Sequence, residues 1–310
     1  MNKYFNQYFK RVIFVCFLTA VGLMLLNIGL DIFGVFGFKK NIRVYGEERI
    51  SKYLMAFRYI PENFDGVILG PSLSANINPE PVKEIRYYNA SLMGARVQTM
   101  IPLLDRMLAS KHQIKRAWVC IHPYMTQSNE MEGSLFMNTK TYWTAFGSVH
   151  LLRVYGFALI RWLNLAPNKY PSDQYLINGT NKFEPLFKGP DVEAKIEEEK
   201  AKLHSEDFEI APIPEASLKE LWRMLEANEI QTKVYFHPVP LPIYEDHKGS
   251  FSQYWEQVKL TYSANNPLIT FENFNRSDFS FFTGDLSNYI DHGHLSEKGQ
   301  QLLLKELSGE

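Results

Sequence analysis

An α/β protein is the fold class this sequence predicts: a three-layer α/β/α sandwich around a parallel sheet, preceded by one N-terminal transmembrane helix. Three observations point there. Short, nearly unbroken apolar runs recur through residues 64–310, as strands covered on both faces require. Amphipathic stretches with helical spacing separate them. An uncharged apolar run fills the N-terminus.

The N-terminal run comes first. Val12 to Leu30 reads VIFVCFLTAVGLMLLNIGL, about 19 residues without a charge, enough helix to cross a bilayer core. Apolar residues continue through Phe36, beyond the length of a cleaved signal's hydrophobic region, and no small-residue cleavage motif follows. An uncleaved signal anchor is expected. Lys3, Lys10 and Arg11 precede the run and Lys39, Lys40 and Arg43 follow it, so the positive-inside bias is slight. A short cytoplasmic tail with the following domain on the extracytoplasmic (periplasmic or extracellular) side is the simplest arrangement. Residues 1–38 are thus read as tail and anchor, 39–63 as a connecting segment with one helical stretch around Glu47–Tyr59, and 64–310 as the globular domain.

Within that domain the strand candidates are Gly66–Leu69, Arg86–Ala90, Arg116–Ile121, Thr232–His237 and Leu268–Phe271. Val97–Ser110 places Met100, Leu103, Leu104, Met107 and Leu108 on one helical face, and Ala216–Ala227 and Gln253–Tyr262 behave similarly. Ser296 is a suitable N-cap for a last helix carrying Leu302, Leu303, Leu304 and Leu307. Alternating strands and helices argue for a sheet with helices on both faces. Residues 126–212 break the rhythm. Thr139–Leu165 is rich in Trp, Tyr, Phe and Leu, but Lys140, Arg153 and Arg161 argue against a second span, and Asp191–Lys202 reads as a solvated charged helix. The region is read as an insertion beside the active edge of the sheet, where insertions set substrate choice.

Composition narrows the partners. A chain of 310 residues with 45% hydrophobic and 22% charged residues forms one large domain or two small ones. A formal net charge of −1 gives no reason to expect nucleic acid. Aromatics at 14% suit core packing or a carbohydrate-facing cleft. Cys16 lies in the apolar run and Cys120 in a strand, so they do not read as a pair. Sequons at Asn89, Asn178 and Asn275 are short enough to arise by chance.

Two distant segments carry chemistry. Gly70-Pro71-Ser72-Leu73 follows the apolar strand Val67-Ile68-Leu69, which places Ser72 at the carboxyl edge where open α/β sheets keep their sites. Asp291-His292-Gly293-His294 offers an acid and a base on one loop. A serine hydroxyl becomes nucleophilic when an imidazole takes its proton, and a carboxylate holds that imidazole in the right tautomer. Taken singly, Ser72 is an ordinary turn residue and Asp-x-x-His an ordinary capping pair. Together, at opposite ends of one α/β pattern, they suggest acyl transfer. His237 ends a strand and reads first as structural, and His292 competes with His294 for the base. His122, His237, His292 and Asp246 hold possible metal ligands, but their spacing matches no metal motif. Neither a metal nor another cofactor is expected.

These segments resemble the SGNH (GDSL-like) hydrolase superfamily. Gly70-Pro71-Ser72-Leu73 is similar to its first block, with Pro71 where Asp or Ser is commoner. Tyr88-Asn89-Ala90-Ser91-Leu92-Met93-Gly94 resembles the second, which would put Gly94 in the oxyanion hole, and Asp291-x-x-His294 resembles the last. The likeness spans roughly residues 64–308 and is specific only at these short segments. The third block's oxyanion Asn has no counterpart: the strand Ala117–Ile121 runs into His122-Pro123-Tyr124-Met125. His122 and Tyr124 are alternative donors there or structural groups. Loss of one such donor costs about 10²–10³ in rate.

The resemblance implies Ser72, His294 and Asp291 as a triad with Gly94 at the oxyanion; Tyr124, outside the family pattern, is a further candidate at the oxyanion or substrate. An anchored domain with these blocks is also similar to proteins of polysaccharide O-acetylation (alginate type) and teichoic-acid D-alanylation. That implies O-acyl transfer on a cell-envelope or secreted polysaccharide beside a multi-pass membrane O-acyltransferase. A carbohydrate deacetylase using the same site, and a non-catalytic membrane-tethered assembly or glycan-binding subunit, are the alternatives.

Overall fold

The computed structural model describes residues 2–130, 137–187, 189, 191–263 and 266–309. Five strands form one parallel sheet: β1 (Gly66–Leu69), β2 (Tyr87–Asn89), β3 (Arg116–Ile121), β4 (Gln231–Phe236) and β5 (Ile269–Asn273). Their order is β2-β1-β3-β4-β5. The chain reverses its direction of travel across the sheet between β1 and β3, which makes their carboxyl ends the switch point where open sheets bind ligands. Registers such as Gly66 with Arg116 and Val119 with Val234 bring the ends of β1, β3 and β4 to one edge. The five strands lie where the apolar runs predict them, two with the same bounds and three with ends shifted by one or two residues.

The helices, in chain order, are α1 (Asn2–Leu30), α2 (Glu48–Met55), α3 (Tyr59–Asn63), α4 (Ser72–Ala75), α5 (Val97–Leu108), α6 (Val149–Trp162), α7 (Glu184–Phe187), α8 (Val192–Lys202), α9 (Pro212–Ala227), α10 (Leu241–Asp246), α11 (Lys248–Leu260), α12 (Ser280–Thr283) and α13 (Glu297–Ser308). Side-chain alternation along the strands sorts them into layers. Val67, Leu69, Val119 and Val234 face a core completed by Tyr53 of α2, Leu103 of α5, Leu221 of α9 and Trp255 of α11. Ile68, Trp118, Cys120 and Tyr235 face the other side, with Phe282 of α12 and Leu303 and Leu307 of α13. Both faces are therefore covered, which is why the strand sequences are apolar at successive positions. The Ser296 hydroxyl accepts the Gly299 N–H at 3.3 Å and caps α13.

α1 stands apart from this core. Its stretch Tyr4–Leu30 is long and apolar enough to cross a membrane, and its side chains are almost all exposed.

Residues 39–63, expected to connect, belong to the core. Tyr53, Met55, Ala56, Tyr59 and Ile60 are buried in the same cluster as β1 and α5. The net hydropathy of α2 is low because it also carries Glu48 and Lys52, which masks its inner face in the sequence. The described parts of 126–212 divide in two. Residues 137–165 pack against the chain that leaves α1: Ala145, Leu151 and Val154 form a small core with Phe33, Val35 and Leu54. The part around Phe183 and α8 reaches the sheet's carboxyl edge. Residues 131–136, within the same stretch, lie outside the described residues. The sequon asparagines Asn89, Asn178 and Asn275 are all buried.

Candidate active site

Ser72 opens α4 immediately after β1. The turn is tight at Gly70: a Cβ there would lie 2.7 Å from Cys120 Cβ and would overlap Ser74 Oγ. Only glycine allows that approach. Asn89, at the end of β2, then locks α4 in place. Its buried carboxamide donates to the carbonyls of Ser74 and Ile77, both at 2.8 Å. Ser74 and Ser91 hydroxyls meet at 2.8 Å, and the Leu92 N–H donates to Gly70 at 3.0 Å. The second sequence block is thus a clamp on the first.

The other partners come from the loop before α13. It is closed by an antiparallel bridge between Tyr289 and Leu295 and by the Ile290 N–H donating to the His294 carbonyl at 2.9 Å. Asn76, at the end of α4, donates to the Leu295 carbonyl at 2.8 Å, tying the two segments together.

Across this junction the Ser72 hydroxyl donates to His294 Nε2 at 2.9 Å, and His294 Nδ1–H donates to Asp291 Oδ2 at 2.8 Å. Asp291 Oδ1 accepts the backbone N–H groups of Gly293 and His294, at 2.9 and 2.7 Å. The tautomer follows from the partners: a proton on Nδ1 faces the carboxylate and leaves Nε2 free to accept. Burial opposes the charge on Asp291, but the hydrogen bond and charge of His294, with the two backbone donors, hold its carboxyl well below the usual range. Phe183 packs edge-on against His294 at 5.2 Å between ring centres and limits the imidazole's swing. His292 is exposed on the same loop, 4.0 Å from Glu199, and lines the cleft with its ring edge-on to His294 at 6.4 Å, but the Ser72 hydroxyl is bonded to His294.

A cleft of about 380 Å³ opens over Ser72 and His294, large enough for a small ligand or a sugar unit. Tyr124, His122 and Val239 line it from the sheet side, while Glu199, Leu203 and Phe208 of the 126–212 region form the facing wall. His122 and Tyr124 follow directly after β3. Among the described residues the buried Tyr124 hydroxyl has no hydrogen-bond partner of ordinary geometry, and burial pushes its pKa up despite the relief that the Ser72 hydroxyl and backbone give. His122 Nδ1 is likewise buried and unpaired, and burial with the neighbouring histidines pushes its pKa far down, so the ring is neutral.

Gly94 is exposed, in the left-handed region with φ 63°, and lies outside the lining of this cleft. Its loop is held by α2 instead. Arg49 donates to the Met93 and Gly94 carbonyls at 3.2 and 3.0 Å, Glu48 accepts the Met93 N–H at 3.1 Å, and buried Lys52 donates to Ser91 at 2.7 Å.

Three positioning residues carry no usable sequence signal: Asn76, Asn89 as a clamp, and Phe183. Each acts through the tertiary position of a backbone carbonyl or a ring, which residue spacing does not encode. Among the described residues no group of three His, Cys, Asp or Glu side chains is placed to hold a metal ion. His237 is committed to the Gly293 carbonyl, and Asp246 lies beside His247, 3.8 Å away. No protein-family model matches the sequence, and no curated protein matches it.

Proposed function

We propose that this chain is a membrane-anchored serine acyl-transfer enzyme of the SGNH type, acting on a cell-envelope or secreted polysaccharide. The observation that carries the reading is the unbroken hydrogen-bond chain from Ser72 through His294 to Asp291 at the floor of an open cleft. Few structural roles need a serine, a neutral-tautomer histidine and a carboxylate in series at a sheet's switch point.

The chemistry runs in two halves. His294 Nε2 takes the Ser72 proton as Oγ attacks the acyl carbonyl, and Asp291 stabilises the imidazolium without accepting its proton. The tetrahedral oxyanion is met by the Ser72 backbone N–H and by the Tyr124 hydroxyl, while the Gly94 loop stays outside the cleft. Collapse expels the donor's alkoxide, which takes the proton from His294 Nε2, and leaves an acyl-serine. A sugar hydroxyl then gives its proton to His294 and attacks the acyl-serine carbonyl. The O-acylated glycan leaves, and Ser72 recovers its proton. Water in place of the sugar would make the same site a deacetylase. A multi-pass membrane O-acyltransferase would be a suitable source of the acyl group.

α1 supplies the anchor in this reading, with the cleft facing the extracytoplasmic side. Alkaline phosphatase fused to the C-terminus should be active. An inactive fusion alongside a fluorescent cytoplasmic reporter at the same junction would reverse that topology. The activity is tested by the ester content of the surface glycan in cells that carry Ser72→Ala at normal protein levels. Loss of the ester is expected. Unchanged acylation would remove the enzyme reading and favour a non-catalytic assembly subunit.

A further inference from the structure

α6 carries an apolar stripe that no described residue covers. Val149 and Leu152 are 68% and 69% exposed, and Leu159 and Leu163 continue the same line past Gly156. Steps of three and four residues place these positions on one face. Trp143 before the helix and Trp162 at its end are exposed to 67% and 80%. A contiguous apolar patch of this kind marks a surface that is covered in use.

Its place relative to α1 identifies the cover. The inner side of the segment is bonded to the end of the anchor: Asn27 Nδ2 donates to the Phe146 carbonyl at 2.6 Å, and the Tyr155 hydroxyl donates to Asn27 Oδ1 at 2.9 Å. Phe36 packs edge-on against Phe146 at 5.1 Å, and Phe33 stacks on His150 at 5.9 Å. Val12–Leu30 is about 28 Å of helix, close to the thickness of a bilayer core, so its last turn stands at the outer hydrocarbon boundary. Asn27 is in that turn, and the groups bonded to it lie at the same depth. Phe38, Lys39 and Lys40 are exposed just beyond, where an aromatic ring and ammonium groups suit the headgroup layer.

We infer that α6 is an interfacial helix, resting its Val149–Leu163 stripe in the headgroup boundary of the bilayer that α1 crosses, with Trp143 and Trp162 at its ends. The inference depends on α1 being a membrane span. Two attachments, one through the bilayer and one on its surface, would fix the domain's tilt and hold the Ser72 cleft at one height and orientation.

Spin labels on the full chain in nanodiscs containing lipid alone test this. The labels sit on native Cys16 within α1, and in a Cys16→Ser background on Leu152→Cys or Leu159→Cys, both exposed positions; Cys120 is fully buried and stays unlabelled. Labels at 152 and 159 are expected to meet dissolved oxygen several-fold more readily than an aqueous nickel complex, at a depth of about 5–10 Å. Free access of nickel to both, with the Cys16 label still lipid-embedded, would overturn the inference while leaving the anchor intact and would assign the stripe to a protein partner. Shielding of both labels from oxygen and nickel alike would overturn it in favour of contact between copies of the chain. A Cys16 label open to nickel would instead bring down the anchor reading, and this inference with it.

Discussion

His237 Nε2–H donates to the carbonyl of Gly293 at 2.8 Å, so a buried histidine at the end of β4 fixes the loop that carries both Asp291 and His294. The bond assigns the remaining lone pair to Nδ1, which faces the Cys120 sulfur at 3.9 Å. One ring therefore joins the sheet to the acid–base loop. His237 is not itself part of the cleft lining and acts on it through Gly293, so its role is positioning.

Stability should fall on mild acidification because of this residue. Burial pushes the His237 pKa down to about 4, against the partial support of the Gly293 carbonyl. The unfolded chain binds a proton near pH 6.5 that the folded chain refuses until about pH 4. The contribution is thus present above about 6.5 and is lost as pH falls toward 4. His122, shifted the same way, adds to the loss. Urea unfolding of the detergent-solubilised chain at pH 7.5 and 4.5 measures it. His237→Gln should flatten part of the difference, and an identical pH dependence in that variant would refute the assignment.

On the proposed acyl-transfer reading, Ser72, His294 and Asp291 should differ in degree. Ser72→Ala and His294→Ala are each expected to lower acyl transfer by on the order of 10⁶, and Asp291→Ala by on the order of 10⁴, as in cooperating triads generally. Ser72→Ala should also abolish labelling by a fluorophosphonate, while the protein keeps its level and its membrane attachment. Equal labelling of Ser72→Ala and the native chain would place the reactive serine elsewhere.

The buried pair on α2 makes a separate prediction for stability. Lys52 Nζ lies 3.0 Å from Glu48 Oε1 with both side chains almost wholly enclosed. Lys52→Met leaves the Glu48 charge buried without its partner and should cost about 3–5 kcal/mol. Adding Glu48→Gln removes that charge and keeps an acceptor for the Met93 N–H, so the double variant should recover much of the loss. A double variant no more stable than the single one would show that Lys52 acts mainly through its bond to Ser91.

How far the sequence carries depends on whether a signal is local. The strands were legible because each is an apolar run bounded by polar residues, and α5 and α13 because their buried leucines recur at helical spacing. Ser72, Asp291 and His294 could be named because a strand-end serine and an Asp-x-x-His loop are short, local patterns, and the structure brings the three into one line of bonds. Residues 39–63 were harder. The buried Glu48–Lys52 pair makes α2 look like a solvated linker, although its Tyr53, Leu54 and Met55 are buried in the core. The aromatic stretch 139–165 holds no local sign that it packs against the end of α1, since that contact joins Asn27 to residues over a hundred positions away. Gly94 illustrates the limit most clearly: a block pattern locates its loop, but only the positions of Glu48, Arg49 and Lys52 show what holds that loop.

Tyr124→Phe separates a catalytic hydroxyl from a structural one. A buried hydroxyl is ordinarily retained because it makes a hydrogen bond, and its removal then destabilises the fold. Among the described residues the Tyr124 hydroxyl has no such bond in the resting site, yet Tyr124 lines the same cleft as Ser72. An unpaired donor beside the nucleophile costs free energy until charge develops near it, and it then finds a partner in the tetrahedral oxyanion. Tyr124→Phe should therefore leave the unfolding midpoint unchanged or slightly raised, while kcat for acyl transfer falls by about 10–10³. KM should move little, because the bond forms only as the carbonyl oxygen becomes an oxyanion. A destabilised variant with native kcat would give Tyr124 a packing role and leave the second oxyanion donor to be sought at His122.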